Sequence, residues 1–125
     1  MNDATIRALL HRHWSDMTDQ DVVHEIYHTD AILEFPQSGE TLRGLDNIKG
    51  MRTAYPADVT LTIQRLRGHA DLWVTEVLIT YDGGVPMHAV NIMEFRDGRV
   101  GRETIFFGDP FPAPAWRTPW VDAPS

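Results

Sequence analysis

Residues 72–107 read LWVTEVLITYDGGVPMHAVNIMEFRDGRVGRETIFF, and this stretch decides the fold. It divides into three runs rich in Val, Ile, Thr and aromatic residues, at 72–81, 85–95 and 100–107. These residue types favour β-strands. The triplets Asp82-Gly83-Gly84 and Arg96-Asp97-Gly98 separate the runs, and glycine accepts the positive φ angle that tight hairpin turns require. With the preceding run at 59–68, the pattern predicts four strands in an antiparallel meander.

The first half of the chain has mainly helical spacing. Apolar residues at three- and four-residue intervals predict a helix at 3–16. Thr18 resembles an N-cap and predicts a second helix. The buried stripe of that helix is formed by four residues: Val22, Val23, Ile26 and Tyr27. A short strand at 31–35 follows, and a third helix is predicted at 46–54, where Pro56 ends it.

Length and charge exclude several classes of protein. A chain of 125 residues with 42% hydrophobic and 23% charged residues fits one globular domain. The net charge of −7 repels phosphate backbones, so we expect no nucleic-acid partner. No apolar run approaches the ~20 residues of a membrane span. Cysteine is absent, which excludes disulfides and thiolate chemistry. We expect a cytoplasmic protein that needs no cofactor.

The C-terminal stretch, 109–125, has a different composition from the rest. Four prolines alternate with Phe111, Trp116 and Trp120 between residues 109 and 120. Proline disfavours both helix interiors and central strands. We therefore predict an extended tail whose aromatic side chains pack on the body or on a partner subunit.

The order helix–helix–strand–helix–meander resembles the nuclear transport factor 2-like superfamily. The residues that carry the resemblance are 9–36, which end in Thr29-Asp30-Ala31-Ile32-Leu33-Glu34-Phe35-Pro36, and 90–109 with their Phe95-Arg96-Asp97-Gly98-Arg99-Val100 hairpin. The closest branches are the SnoaL-like and ketosteroid-isomerase-like ones. The resemblance implies a single α+β domain over 1–125, in which three N-terminal helices pack on a strongly curved, mainly antiparallel sheet. This sheet forms a cone with an internal pocket.

The resemblance also implies a range of activities. Relatives of this fold include isomerases, cyclases, dehydratases, epoxide hydrolases and non-catalytic adaptors. Steroid isomerases of the superfamily carry a carboxylate base on the first strand just before a proline, but Phe35 stands there. Asn91 matches their second oxyanion-hole acid, and His11 matches their helix-one tyrosine. Steroid isomerisation by that mechanism is therefore not expected.

Strand pairing predicts a row of polar residues across the meander. A two-residue turn at Gly83-Gly84 sets Glu76 opposite Asn91, and a three-residue turn at 96–98 sets Asn91 opposite Glu103. Two carboxylates on an apolar wall would have raised pKa values and could share acid and base roles. We expect Glu76 and Glu103 to do this work while Asn91 orients a substrate oxygen. A one-residue change in a turn would instead leave a glutamate outside as a solvated charge or salt-bridge partner.

The histidines are weaker candidates. His88 falls on the opposite face from Asn91, where a hydrogen-bonded histidine at a dimer interface competes with a catalytic base turned inward by a bulge near Pro86. His24 and His28 have the i,i+4 spacing of a zinc site. They lack a third ligand in register, so we predict a surface helix and no metal.

Seven further residues are predicted to line a cavity for a small apolar molecule: His11, Trp14, Tyr27, Phe35, Tyr55, Met93 and Phe107. Two functions remain open. An acid–base enzyme should show titratable side chains converging on one pocket wall, whereas a non-catalytic ligand-binding or dimerisation module should show a filled core with Glu76 and Glu103 outside. Apolar residues on both sheet faces predict a homodimer.

Overall fold

The computed structural model describes residues 2–122. Within this range it contains three α-helices, α1 (Asp3–Ser15), α2 (Gln20–Val23) and α3 (Leu45–Thr53). Six strands make one sheet: β1 (Tyr27–Phe35), β2 (Glu40–Arg43), β3 (Val59–His69), β4 (Leu72–Tyr81), β5 (Met87–Arg96) and β6 (Arg99–Gly108). Two 3₁₀ helices, His24–Ile26 and Ala115–Trp120, complete the described elements.

The sheet is mixed, curved and open, with the strand order β2-β1-β6-β5-β4-β3. All neighbours pair antiparallel except β1 and β6, which run parallel. Its inner face packs with α1 and α3 around one main core, whose fully buried members include Leu10, Leu33, Ile48, Trp73 and Val100. The predicted α+β class, with helices on a strongly curved and mainly antiparallel sheet, is confirmed.

The second helix is shorter than predicted. Its N-cap is Asp19, whose carboxylate accepts hydrogen bonds from the backbone N–H groups of Asp21 and Val22, so Thr18 is not the cap. One turn later the chain tightens into the 3₁₀ helix, and Tyr27 opens β1 instead of closing a helical stripe. Pairing with β6 begins at this residue, and the ladder outweighs the local helical spacing.

The strands also extend beyond their predicted bounds. β1 begins four residues before the predicted start at residue 31. The predicted turn after Pro36 leads into β2, a four-residue edge strand that pairs antiparallel with β1 and that the sequence pattern missed. Such a short strand carries little periodicity of its own, because its stability comes from the neighbouring strand.

The hairpin between β4 and β5 differs from the predicted register by one residue. Positive φ angles occur at Asp82 and Gly83, so the turn is centred one residue earlier than expected, and an irregular stretch follows before β5 begins. Asn91 therefore pairs with Thr75, not with Glu76. Because side chains alternate along a strand, this one-residue difference turns Glu76 to the outer face.

The hairpin between β5 and β6 differs by two residues. Asp97 and Gly98 form a two-residue turn with positive φ angles, and a bulge in β6 near the turn adds one residue. Asn91 consequently pairs with Ile105 instead of Glu103. An even shift keeps the faces unchanged, so Glu103 still points inward as the diagonal neighbour of Asn91.

The tail leaves the body after β6. Residues 109–114 have no regular structure, whereas Ala115–Trp120 form a 3₁₀ helix that the sequence pattern did not predict. Phe111, Trp116 and Trp120 are 73%, 71% and 79% exposed, so the body does not bury them. The last part of the predicted tail, 123–125, lies outside the described residues.

None of the helices between residues 2 and 122 is both long enough and apolar enough to cross a membrane.

Candidate functional site

A cavity of about 790 Å³ opens between the inner sheet face and the helices. This volume lies within the usual range for small-molecule sites. Its walls are mainly apolar and come from β1, β3–β6 and α3; they include Phe35, Met51, Leu61, Val77, Ile79, Ala89, Ile105 and Phe107. The lining also contains polar side chains that are buried or half-buried: His13, Trp14, Gln20, Tyr27, Arg52, Asn91 and Glu103.

Glu103 is the centre of this polar group and is 1% exposed. Its Oε1 accepts hydrogen bonds from the Tyr27 hydroxyl at 2.7 Å and from Arg52 Nη2 at 2.9 Å. Its Oε2 accepts a hydrogen bond from Asn91 Nδ2. Arg52 Nη1 also donates to the Tyr27 oxygen at 3.1 Å. Four side chains from β1, α3, β5 and β6 thus form one network.

The network determines the charge of each member. Burial alone would raise the pKa of Glu103, but the Arg52 charge and the hydrogen bonds from Tyr27, Arg52 and Asn91 outweigh it and hold that pKa below its usual value. Burial raises the pKa of Tyr27, so the phenol stays protonated and donates. Burial opposes the charge of Arg52, but Glu103 more than offsets this and raises the pKa of Arg52. Glu103 is therefore ionised at neutral pH, which corrects the predicted raised pKa.

His24 contacts Arg52 at Nη1, whereas Glu103 binds Nη2. The Nδ1 of His24 lies 2.6 Å from the Gln20 carbonyl oxygen, and its Nε2 lies 3.2 Å from Arg52 Nη1. Because a carbonyl can only accept, Nδ1 must carry the proton and Nε2 accepts from the guanidinium. Burial is the main reason that the pKa of His24 is lowered, in keeping with this neutral tautomer.

His13 is the second buried histidine at the site and is 5% exposed. Burial lowers its pKa to about 4, and the positive charge of Arg52 contributes, while Glu103 and the Val23 backbone oppose the shift. Neither ring nitrogen makes a hydrogen bond of ordinary geometry with the described residues. The imidazole is packed edge-on against Trp14, with ring centroids 4.7 Å apart.

A smaller cavity of about 520 Å³ adjoins the larger one. His13, Asp16 and Tyr27 line both cavities. The smaller cavity is lined by α1, α2, the 3₁₀ helix after it and the β5–β6 turn, and its charged residues Arg12, Asp16, Glu25 and Arg99 are all exposed.

The family model of the SnoaL-like domain matches residues 6–103 of the chain. The chain belongs to the SnoaL-like family. No curated protein matches it in a sequence comparison.

Solved structures resemble this SnoaL-like domain over most or all of its length. An NTF2-like protein of unknown function from Burkholderia xenovorans LB400 is 42% identical, with a TM-score of 0.92 over 100% of this chain and 99% of that one. A protein from Kribbella flavida DSM 17836, provisionally named a ketosteroid isomerase, is 25% identical, with a TM-score of 0.88 over 100% and 94%. An LEH-like epoxide hydrolase from M. tuberculosis is 19% identical, with a TM-score of 0.65 over 83% and 80%, and shows the shared fold.

Most of the predicted site residues of the SnoaL-like domain meet in the larger cavity. Seven of them line it: Trp14, Tyr27, Phe35, Tyr55, Asn91, Glu103 and Phe107. Two predicted lining residues do not. His11 is exposed on the outer side of α1, because the buried stripe of this helix runs through Leu10, His13 and Trp14. Met93 faces inward but is enclosed in the main core.

Two predicted catalytic residues lie outside. Glu76 is on the outer sheet face, where Arg65 Nε donates to it at 2.7 Å and Arg67 Nη2 donates at 3.1 Å. The hydrogen bond from Arg65 is the main reason that the pKa of Glu76 is lowered. His88 is exposed near the start of β5, on the face that alternation predicted for it. The predicted row of two glutamates is thus wrong, and one buried carboxylate remains.

Sequence reasoning missed Arg52 and His13. Both carried a periodic signal, because Arg52 lies one turn after the buried Ile48 in α3 and His13 lies three residues after Leu10 in α1. His24 and His28 were misplaced: His24 is buried in the 3₁₀ helix, and His28 belongs to β1, so they do not share a helix. Between residues 2 and 122 no group of three His, Asp or Glu side chains could hold a metal ion.

Proposed function

We propose that this chain is an enzyme that performs cofactor-independent acid–base chemistry on a small, mostly apolar, oxygen-bearing molecule. The observation that carries the proposal is the buried Glu103–Arg52 pair in the lining of an apolar cavity. Burying such a pair is costly, and apolar residues of the same size would often serve stability as well or better. Charged networks that face a cavity are therefore candidates for functional sites.

Glu103 is assigned the role of proton acceptor. A carboxylate has about four lone-pair sites, and the described hydrogen bonds occupy two on Oε1 and one on Oε2. One site on Oε2 remains for a substrate or water hydrogen. The other cavity-lining carboxylates, Asp16 and Asp58, belong to exposed residues. Tyr27 and Arg52 stabilise the ionised form of Glu103, which is the form a base requires.

The relatives support the reaction class and not one reaction. The proposal covers isomerisation, cyclisation, dehydration and epoxide opening, because each moves a proton at or beside an oxygen-bearing centre. The Kribbella protein and the M. tuberculosis protein are named for two of these reactions. Phe35 lines the cavity at the place where steroid isomerases carry their base, so the steroid-type route finds no carboxylate there.

A second candidate is a non-catalytic ligand-binding or dimerisation module. The observation in its favour is that the cavity has one buried carboxylate instead of the predicted pair, and that three donors already hold it. A binding protein needs the cavity but has no use for the remaining lone pair on Glu103.

The test compares E103Q with E76Q, a matched change on the outer face. The purified proteins are incubated with small uncharged epoxides, unsaturated ketones and β-hydroxy ketones, and products are quantified by chromatography. We expect the wild type to turn over at least one class, E103Q to lose about 10²–10⁴-fold in kcat, and E76Q to stay within twofold of wild type. Saturable binding without turnover in any class would favour the binding module, and thermal unfolding checks that E103Q is folded.

A further inference from the structure

Several polar atoms of residues along the larger cavity lack a hydrogen-bond partner among the described residues. Trp14 Nε1, Asn91 Oδ1, Gln20 Oε1 and both ring nitrogens of His13 are buried and make no hydrogen bond of ordinary geometry with that part of the chain. All four residues line the same cavity. Native proteins leave few buried polar atoms unpaired, so a cluster of them around one space indicates that something else completes their hydrogen bonds.

The buried charges of the cavity are already matched. Glu103 and Arg52 bind each other at 2.9 Å, and Tyr27 and Asn91 bind the same carboxylate. His13 is neutral at physiological pH because its pKa is lowered to about 4. An anionic ligand would find no free buried cation among these residues, and a cationic ligand would have to compete with Arg52. Burying either kind of charge without a partner is strongly unfavourable.

The unpaired atoms differ in what they require. The indole Nε1–H of Trp14 only donates, so it needs an acceptor on the ligand. The Nδ2 of Asn91 donates to Glu103, which fixes the orientation of the amide. Its Oδ1 can only accept, so it needs a donor on the ligand. A hydroxyl group supplies both functions, whereas a hydrocarbon supplies neither. His13 lines both cavities, so its ring nitrogens do not indicate which ligand the larger cavity takes.

We propose that the cavity takes an uncharged, largely apolar molecule that carries at least one hydroxyl group, with Trp14 and Asn91 as its hydrogen-bonding partners. This inference rests on the proposed function, since the cavity is the site assigned there, and it adds the charge and hydrogen-bonding class of the ligand. The apolar walls accept the carbon skeleton, and the polar part of the lining selects the substituent.

Binding of matched probes tests the proposal. Two series are used, built on one and two aromatic rings: benzyl alcohol, toluene, benzoate and benzylamine, and then 2-naphthalenemethanol, 2-methylnaphthalene, 2-naphthoate and 2-naphthylmethylamine. Calorimetry and NMR titration give Kd for each probe. We expect the alcohol of at least one series to bind about tenfold or more tightly than the hydrocarbon, the acid and the amine of that series.

The variant W14F removes the indole N–H and keeps an aromatic ring, and W116F makes the same change in the exposed tail. We expect W14F to weaken binding of the alcohol about fivefold and to leave the hydrocarbon unchanged, while W116F alters neither. Equal or tighter binding of the acid or amine, an unchanged alcohol preference in W14F, or no binding of either alcohol would overturn the inference.

The two proposals fail separately. Because no turnover is measured, a protein that prefers the alcohols but transforms nothing keeps this inference and loses the proposed acid–base activity. An active enzyme that prefers the charged probes keeps the activity and loses this inference.

Discussion

His13 shows how burial changes the chemistry of a single residue. An exposed imidazole has a pKa of about 6.5, whereas burial lowers the pKa of His13 to about 4. Between these two values the unfolded chain binds a proton that the folded chain does not. Lowering the pH through this window therefore favours unfolding, and the stability that neutral His13 provides is complete above pH 6.5.

The prediction is a loss of about 3 kcal/mol in the free energy of unfolding between pH 7 and pH 4 that is due to His13. We expect H13F to flatten this dependence, although the lowered pKa of His24 leaves a residual slope in the same direction. Urea unfolding at a series of pH values measures it. V23A serves as the control, because it removes buried apolar atoms beside the site but no titrating group. Equal slopes in H13F and wild type would contradict the assignment.

At the scale of elements, the two hairpins show why strand pairing is hard to predict from turns. Both turns contain the expected glycines. In the β4–β5 turn the positive φ angles lie one residue earlier than predicted, and the β5–β6 turn has two residues instead of the predicted three. The register of β4 and β5 differs from the prediction by one residue, which places Glu76 on the opposite face of the sheet. The register of β5 and β6 differs by two residues, so Glu103 stays on the inner face. Glu103 kept its predicted inward face because a shorter turn and a bulge combined to an even shift.

The pairing of β3 with β4 allows a direct test at Gly68. This glycine lies opposite Trp73, and a methyl group added to it would come within 2.3 Å of the indole and 2.6 Å of the Leu72 carbonyl oxygen. We expect G68A to lower the free energy of unfolding by about 1–3 kcal/mol. Gly50 in α3 is the control, since an added methyl there meets nothing within 4 Å, and G50A should raise stability by up to ~1 kcal/mol.

Chemical denaturation of both variants measures these effects. A G68A protein as stable as the wild type would show that β3 and Trp73 separate easily, and it would contradict the close packing of this strand pair.

At the scale of the whole molecule, the tail and the outer sheet face have apolar surface that the described chain does not cover. Phe111, Trp116 and Trp120 are exposed, and so are about half of Leu72 and two-fifths of Phe106 on the outer face. Each large aromatic side chain buries about 150–250 Å² when it docks, so two tails would bury roughly 900–1,500 Å². This approaches the 1,200–2,000 Å² of a standard interface. We propose that a second copy of the chain covers this surface.

We expect the protein to be a dimer at micromolar concentration, as measured by light scattering and sedimentation. The double variant W116S/W120S should weaken the dimer at least tenfold, while V85S, which changes an exposed apolar residue in the β4–β5 loop, should leave it intact. A wild-type monomer of 14 kDa would disprove the proposal. A dimer that the double variant does not weaken would assign the interface to the sheet alone.

The sequence by itself determined the elements and the class of fold. Periodicity and turn residues are local, so 72–81 was predicted to the residue and the meander, α1 and α3 within one or two residues of their bounds. The resemblance then supplied the curved sheet with its pocket. Local sequence patterns gave wrong predictions where pairing with another strand stabilises the element. The β2 strand pairs with β1, and Tyr27 pairs with β6 instead of belonging to the predicted helix.

Only the tertiary structure decided the site. It brought Arg52 to Glu103 across 51 residues of sequence, turned Glu76 outward, and enclosed His13 in place of the predicted His11. The sign of the pKa shift of Glu103 followed from that encounter, because burial without a cation would have raised the value. Residue types and their spacing show which chemical groups the chain contains. The distance between two charged groups, however, depends on how all the strands pair, and one additional residue in a turn changes that distance.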